Sequence, residues 1–333
     1  MELGIYTFGD LVRNVKTGKT ATAQERMNQM LEMARLADDA GLDILGVGEH
    51  HGLRYVNSAT ATTLAAMAAV TKRLRLTSAT TLLSTADPVR TFQEFATADL
   101  ISNGRVELIF GRGAFTDNFP LFGFDTNDYD ALFIEKLMLF EKLNANERVT
   151  WKGKFRPALY DAEIAPRPSQ PKLPVWIGAG SPGSVSRAAA LGYPVVIPVL
   201  GSTLPNYAHI ASIYRQAWLQ SGRAEESMKL AVFSHLHISE SKHAFQEFYP
   251  YYSAYLEPLF RQAMPMDQYR HMCSSHGSLF AASPQEVVDK IMYVKEHLGA
   301  VRYVGQIDVG GQSFSDVMKG IETFAAKVAP VVR

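Results

Sequence analysis

Eight short apolar segments alternate with segments of helical period along the chain, and this alternation strongly restricts the possible folds. The apolar segments have the length and composition of β-strands. Apolar residues recur at helical spacing in the intervening segments 22–40, 57–70 and 87–100. The predicted strands are 3–8, 42–50, 74–82, 105–113, 174–180, 193–200, 229–239 and 301–310.

Strands that alternate with helices in a chain of 333 residues predict an α/β fold, a (β/α)8 TIM barrel that forms a single domain over residues 1–333. A helix over 314–329 would close the chain. Two segments interrupt the alternation. Residues 145–173 contain several prolines and no helical period, which predicts an excursion with an extended hairpin between strands four and five. Residues 241–284 form an aromatic-rich insertion, which either packs against the barrel or a second subunit or acts as a lid.

Charge and cysteine content exclude several classes of function. Lys plus Arg equal Asp plus Glu at 33 each, which argues against a nucleic-acid surface or a polybasic membrane patch. The single cysteine, Cys273, cannot form an internal disulfide and indicates a reducing compartment. The N-terminal segment lacks the features of a signal peptide, and no window approaches the roughly 18 apolar residues of a membrane span. We therefore predict a soluble, cytoplasmic protein.

Three glycines in residues 178–183 have the G-x-G-x-x-G spacing of a dinucleotide-binding loop. A Rossmann fold requires an acidic residue about 20 residues later, and no carboxylate occurs after the loop before Glu225. The Rossmann interpretation therefore fails. Ser181 is a predicted N-cap and Pro182 a predicted first helical residue, so the loop would expose backbone amides. It either binds an anion such as a phosphate or is only a tight turn.

Polar and glycine-rich segments follow the predicted strands at their carboxyl ends, where the active face of a barrel lies. Arg112 lies between two glycines and has an acidic residue, Glu107, five positions before it. It is either part of a surface ion pair or a phosphate anchor, and the flanking glycines favour the anchor. The segments are GEHH (48–51), SATT (78–81), GRG (111–113), GAGS (178–181), SHLH (234–237) and QIDVGG (306–311).

Histidines near two strand ends raise the question of a metal site. Glu49, His50 and His51 are consecutive, and consecutive strand residues point to opposite faces, so one metal could not easily bind both histidines. His235 and His237 share a face but have no third ligand at a suggestive spacing. We interpret this second pair as polar residues that line the barrel, and we predict no metal.

Three sequence blocks together resemble the bacterial luciferase-like superfamily of flavin-dependent monooxygenases over almost the whole chain. The order and spacing of the blocks make the resemblance specific, and it is strongest to a subgroup described only as FMN-dependent. The resemblance implies a (β/α)8 barrel with an insertion, usually dimeric, that binds FMN or reduced FMN at the carboxyl rim. The blocks are GLDILGVGEHH, then LTSATTLLSTADPVRTFQEFATADLISNGRVELIFGRG with the following FPLFGFD, and finally PRPSQPKLPVWIGAGSPGSV.

The resemblance also implies site residues. His50 corresponds to the active-site histidine of the family, and the Ala79–Thr80 peptide to a non-prolyl cis bond beneath the isoalloxazine ring. Light-emitting members carry a cysteine where this chain has Gly111 and an acid where it has Gly180, so light emission is not expected. The implied cofactor-binding residues are Glu49, Ala79, Thr80, Arg112, Gly180, Ser181 and Ser184, with the last four at the phosphate.

The function that the resemblance implies is a two-component monooxygenase. Reduced FMN from a separate NAD(P)H-dependent flavin reductase would react with O2 and a small organic substrate, and the enzyme would be a homodimer or a higher homo-oligomer. Neither a nucleic acid nor a membrane is expected as a partner. Two alternatives remain at this point: a deazaflavin-dependent hydride-transfer enzyme on the same barrel, and a flavin-binding protein without catalytic activity.

Overall fold

Eight parallel strands close a barrel in the computed structural model of the chain, which describes residues 1–113, 116 and 118–333. Around the barrel the strands pair in the order β1, β2, β3, β5, β8, β9, β10 and β12, and β12 pairs again with β1. This closure confirms the predicted (β/α)8 fold. The strands are β1 (Glu2–Thr7), β2 (Ile44–Val47), β3 (Arg75–Ser78), β4 (Thr81–Leu82), β5 (Val106–Gly111), β6 (Arg148–Trp151), β7 (Leu159–Glu163), β8 (Val175–Gly178), β9 (Val195–Val199), β10 (Leu230–Ile238), β11 (Phe280–Ala282) and β12 (Arg302–Gln306).

Helices surround the barrel, and side-chain caps define where several of them begin. Thr22 and Glu25 form a capping box at the start of α1, and the Asp87 side chain accepts two backbone amides at the start of α3. The helices are α1 (Ala23–Asp39), α2 (Thr60–Val70), α3 (Pro88–Ser102), α4 (Asn118–Leu121), α5 (Tyr129–Ala145), α6 (Pro182–Leu191), α7 (Leu204–Gln220), α8 (Ala244–Phe260), α9 (Met266–Cys273), α10 (Pro284–Tyr293), α11 (Phe314–Thr323) and α12 (Ala329–Val332).

The barrel interior is filled by side chains, so it is a packed core and not a channel. Because strand residues alternate between two faces, each strand sends some side chains inward and others beneath the surrounding helices. Near the amino end of the barrel, Arg302 is ion-paired with buried Glu107 and lies 4.6 Å from the ring centroid of Trp176. The interior cluster consists of Tyr6, Ile44, Ile109, Trp176, Val196, Ala231, Phe233 and Val304.

The second strand is shorter than predicted. It ends at Val47 instead of residue 50, because Asn57 hydrogen-bonds the chain beyond it. The Asn57 side-chain amide donates to the carbonyl of Gly48 (2.7 Å), and the amide of His50 donates to the Asn57 carbonyl (2.9 Å). Residues 49–51 therefore lie in a loop, and the assumption that their side chains alternate as in a regular strand was wrong.

The third predicted strand is divided into two. β3 ends at Ser78, the peptide bond between Ala79 and Thr80 is cis, and β4 begins at Thr81 and pairs with β5. The cis bond that the resemblance implied is thus confirmed.

The fourth and eighth strands also end earlier than predicted. β5 ends at Gly111 and β12 at Gln306. Beyond β12 the backbone at Gly310 and Gly311 has φ values of 87° and 70°, which glycine adopts at little steric cost. The polar segments after these strands therefore lie in loops above the barrel.

The two interruptions contain ordered structure. In residues 145–173, β6 and β7 form an antiparallel pair, which is the predicted hairpin. Residues 241–284 contain α8, α9 and β11, and β11 pairs in parallel with β10. The aromatic residues of α8 pack with α9 in a hydrophobic cluster of their own. Within the described part of the chain, none of the helices is long and apolar enough to cross a membrane.

Candidate active site

The predicted site residues lie at the carboxyl end of the barrel, on the loops after β2, β3, β5 and β8. These four strands are neighbours in the sheet, so their loops meet. The Glu49 amide donates to the Thr80 carbonyl at 3.1 Å, and the Thr80 side chain covers Gly111 and Gly178. A Cβ at Gly111 would collide with Thr80 Oγ1, and one at Gly178 would lie 3.2 Å from Thr80 Cγ2. The two glycines therefore let the Thr80 side chain lie close to the strand ends.

The carboxylate of Glu49 joins two of these loops. Its Oε1 is 2.9 Å from His51 Nε2, and its Oε2 accepts the Leu82 amide of β4 at 3.0 Å. The His51 ring contacts Phe122 edge-on, with 4.8 Å between ring centroids. Glu49 therefore holds the loop after β2 against β4, next to the cis peptide.

The His50 ring is packed between two aromatic residues at the rim. It meets Phe8 edge-on at a centroid distance of 4.5 Å and stacks on Tyr55 at 4.2 Å. The side-chain amide and the backbone carbonyl of Asn57 both hydrogen-bond the same loop. Packing against these two rings restricts the orientation of the imidazole.

Arg112 has a partner that the sequence did not reveal. Its Nη1 lies 2.6 Å from Oδ1 of Asp130, and Arg187 Nη1 lies 3.0 Å from the same oxygen. Hydrogen bonds from these two guanidinium groups hold the pKa of the Asp130 carboxyl below its usual value. Glu107, the candidate partner considered from the sequence, pairs with Arg302 inside the barrel. Asp130 and Arg187 lie on α5 and α6, and only the fold brings them to Arg112.

The start of α6 adjoins the arginines. Ser181 is its N-cap and Pro182 its first residue, which confirms the prediction from the sequence. The Ser181 amide donates to Ser184 Oγ at 3.0 Å, so these serines form a capping box. Gly180 packs on the β9 side, where a Cβ would lie 3.2 Å from Pro198 Cγ. A recess beside α6 is lined by Arg112, Phe133, Leu137, Ile177, Gly178, Ser184, Arg187, Ala188 and Leu191.

A buried polar cluster at the β1 and β12 side of the rim was not predicted. Asp308 accepts hydrogen bonds from Thr7 and from Arg26 of α1, and Gln306 Nε2 donates to Asp10 Oδ2 at 3.1 Å. Burial and the neighbouring Asp308 raise the pKa of Asp10 to about 8. Within residues 1–113, 116 and 118–333, Oδ1 of Asp10 has no hydrogen-bond partner. No local pattern marks these residues, because they come from opposite ends of the chain.

The two histidines of β10 lie beneath α8. His235 Nδ1 is 3.1 Å from the Tyr252 hydroxyl, and burial lowers the pKa of His235 to about 4. His237 stacks on Phe248 with 4.5 Å between centroids. The aromatic helix thus covers this side of the rim. Across the residues that the structure describes, no group of three or more His, Cys, Asp and Glu side chains could hold a metal ion.

The chain is thus a TIM barrel whose histidine, two converging arginines and glycine-rich loops lie at the carboxyl rim, where TIM-barrel enzymes have their active sites. The family comparison is specific: the chain matches the model of the luciferase-like monooxygenases over residues 1–302 and belongs to that family. The resemblance inferred from the sequence blocks is thereby confirmed.

Two curated relatives indicate the range of cofactors in the family. The oxygenase component of a flavin-dependent trigonelline monooxygenase from Acinetobacter baylyi is 22% identical over 353 aligned residues, covering 97% of this chain and 94% of the relative. An F420-dependent glucose-6-phosphate dehydrogenase from Amycolatopsis mediterranei is 33% identical over 187 residues, covering 54% of this chain and 56% of the relative.

Two solved structures share the fold over their full length. The monooxygenase RslO1 from Streptomyces bottropensis superposes with a TM-score of 0.86 at 25% identity, covering 99% of both chains. The oxygenating constituent of 3,6-diketocamphane monooxygenase from Pseudomonas putida, solved in complex with FMN, gives a TM-score of 0.81 at 19% identity, covering 100% of this chain and 99% of that one.

Proposed function

We propose that the protein is the oxygenase of a two-component monooxygenase that uses reduced FMN and O2 to oxidise a small organic substrate. The observation that carries the proposal is the convergence of Arg112 and Arg187 on one carboxylate oxygen beside the start of α6. Two guanidinium groups and a helix N-terminus suit a phosphate group such as that of FMN. The trigonelline relative, named as a flavin-dependent oxygenase component, and the FMN-bound camphane enzyme support this cofactor.

The residues present fit the remainder of the cofactor. In our proposal Arg112, Arg187, Ser181, Ser184 and the Gly180 loop hold the phosphate, while Glu49 and the Ala79–Thr80 peptide lie at the flavin ring. Thr80 packs against Gly111 and Gly178, between the loop of Glu49 and the recess beside α6. Bound reduced FMN would supply the electrons that activate O2.

The protein's own residues would then control protons and water. His50, with its ring held between Phe8 and Tyr55, would give or take a proton at its imidazole as the substrate is oxidised. The aromatic helix α8 would exclude water from the rim, which protects reactive species from side reactions.

The proposal extends to the partners. An oxygenase component requires a second component that reduces the flavin, so we propose a separate NAD(P)H-dependent flavin reductase. The name of the trigonelline relative, an oxygenase component, supports this. We further propose a homodimer or a higher homo-oligomer, because the family resemblance implies one. A cytoplasmic location is proposed because the single cysteine, Cys273, indicates a reducing compartment.

A second candidate is F420-dependent hydride transfer on the same barrel. The observation in its favour is the 33% identity to the Amycolatopsis dehydrogenase over about half of each chain. Both cofactors carry phosphate, so the anion site alone does not distinguish them. The trigonelline relative and RslO1, which both match over the whole length, support a monooxygenase.

Reconstitution of the purified protein tests the proposal. FMN, riboflavin and F420 are titrated separately, and reduced FMN is then mixed with O2 and a panel of small organic substrates. Tighter binding of FMN than of riboflavin, together with an oxygenated product, supports the proposed function. Preferential binding of F420 with hydride transfer would establish the second candidate. FMN binding without any product across a broad panel would support a non-catalytic flavin-binding protein.

A further inference from the structure

We infer that the Asp130 carboxylate competes with the cofactor phosphate for the two arginines of the site. By pairing with Arg112 and Arg187 in the absence of FMN, Asp130 weakens FMN binding and keeps the cofactor exchangeable. The inference rests on the proposed FMN site and concerns its regulation. Within the proposed function, FMN would pass repeatedly between the reductase and this protein, so very tight binding would be a disadvantage. A carboxylate that competes for the same cations would limit the affinity.

The geometry at Asp130 resembles that of a bound phosphate oxygen. A single oxygen, Oδ1, lies within 3.0 Å of Nη1 of both Arg112 and Arg187. Two guanidinium groups repel each other, and their approach to one point requires an anion between them. A phosphate monoester carries about −1.5 to −2 charges at pH 7 and a carboxylate carries one, so phosphate neutralises the pair more completely.

Of the three paired side chains, Arg112, Asp130 and Arg187, Asp130 is the most easily displaced. Its side chain is 58% exposed and lies in the first turn of α5, so rotation would transfer the carboxylate into water. Arg112 is more enclosed, with 27% of its side chain exposed, and its guanidinium lies 5.2 Å from the ring centroid of Tyr129. The Tyr129 hydroxyl donates to the Gly113 carbonyl at 2.7 Å, which anchors that ring. The arginine would therefore stay in place when the carboxylate leaves.

Asp130 could instead hold the arginines in position for the phosphate, and the two roles predict opposite effects of its removal. If Asp130 competes, the Asp130→Asn variant binds FMN more tightly. If it positions the arginines, the same variant binds FMN more weakly. Asparagine has nearly the same shape as aspartate, so this change removes the charge without leaving a cavity.

The test measures dissociation constants of FMN and riboflavin by quenching of flavin fluorescence. We expect Asp130→Asn to tighten FMN by about two- to thirtyfold, the range for losing two exposed ion pairs that oppose binding. Riboflavin, which lacks the phosphate, should bind as it does to the unchanged protein. FMN release, measured by stopped flow, should be slower from the variant than from the unchanged protein.

A matched control is Asp128→Asn, which removes a nearby acid that pairs with Lys154 at 2.9 Å. It should leave the FMN affinity unchanged. In a protein that already carries Arg187→Ala, adding Asp130→Asn should tighten FMN binding much less than it does in the unchanged protein.

Weaker or unchanged FMN binding in Asp130→Asn, with its melting temperature retained, would overturn the inference while leaving the FMN site intact. If the unchanged protein and the variant both bound FMN no better than riboflavin, the phosphate site itself would be wrong. That result would remove the basis of the proposed function together with the inference, and it is distinguishable from the first.

Discussion

Replacing Asp10 by asparagine should remove a pH-dependent loss of folding stability. Asp10 is only 6% exposed, and the Gln306 amide is its hydrogen-bonding neighbour at the rim. Desolvation and the like charge of Asp308 outweigh the attraction of the nearby arginines, so the pKa of Asp10 rises from its ordinary value of 3.8 to about 8. The charged and titratable groups that face it are Asp308, Arg26, Arg54, Tyr6 and Tyr255.

The sign of the effect follows from proton binding. Between about pH 4 and pH 8 the folded protein keeps a proton on Asp10 and the unfolded chain does not. The stabilising contribution is complete below about pH 4 and is lost as the pH rises toward 8. One proton corresponds to about 1.4 kcal/mol per pH unit, so from pH 5 to pH 7 the loss reaches roughly 2–3 kcal/mol.

Urea denaturation at pH 5, 6, 7 and 8 measures the free energy of unfolding of both proteins. With each increase in pH, the free energy of unfolding of Asp10→Asn should rise relative to that of the unchanged protein. Asparagine does not ionise, so the variant lacks the loss that the ionisation of Asp10 causes. Asp39→Asn, at an exposed acid of α1, is the control. Its free energy of unfolding should change with pH in parallel with that of the unchanged protein. Parallel profiles for Asp10→Asn as well would refute the reasoning, since they would mean that Arg26 and Arg54 keep Asp10 ionised.

Three further predictions concern the rim. Arg112→Ala should weaken FMN by roughly ten- to a hundredfold, the effect of losing a charge-assisted contact of about 1.5–3 kcal/mol, and should leave riboflavin nearly unchanged in fluorescence titrations. Equal losses for both ligands would contradict the phosphate contact. His50→Ala should keep FMN affinity within a few-fold but slow product formation by about a hundredfold or more, and unchanged turnover would remove the proton-transfer role. Gly111→Val should force Thr80 aside and lower the free energy of unfolding by about 1–3 kcal/mol, whereas Gly183→Ala, whose methyl group meets open space, should not.

Local patterns in the sequence were sufficient for the barrel and for the start of α6. Strand and helix periodicity act over a few residues, so eight strands and their order could be predicted, although their ends could not. The Ser181 cap and Pro182 gave the helix start because capping is a contact between residues three positions apart. The cis bond after Ala79 is different, since no local feature indicates it and only the family resemblance led to its prediction.

The tertiary structure alone decided the partners of the charged groups. Arg112 and Asp130 are 18 positions apart, and Asp10 and Asp308 are brought together only when β1 pairs with β12 at the closure of the barrel. The loop at His50 leaves the sheet because Asn57 hydrogen-bonds it, a contact that strand periodicity does not reveal. Sequence periodicity shows which face of a helix or strand is buried. Ion pairs and pKa values depend instead on which helices and strands contact each other. In a barrel, strand order and closure decide those contacts.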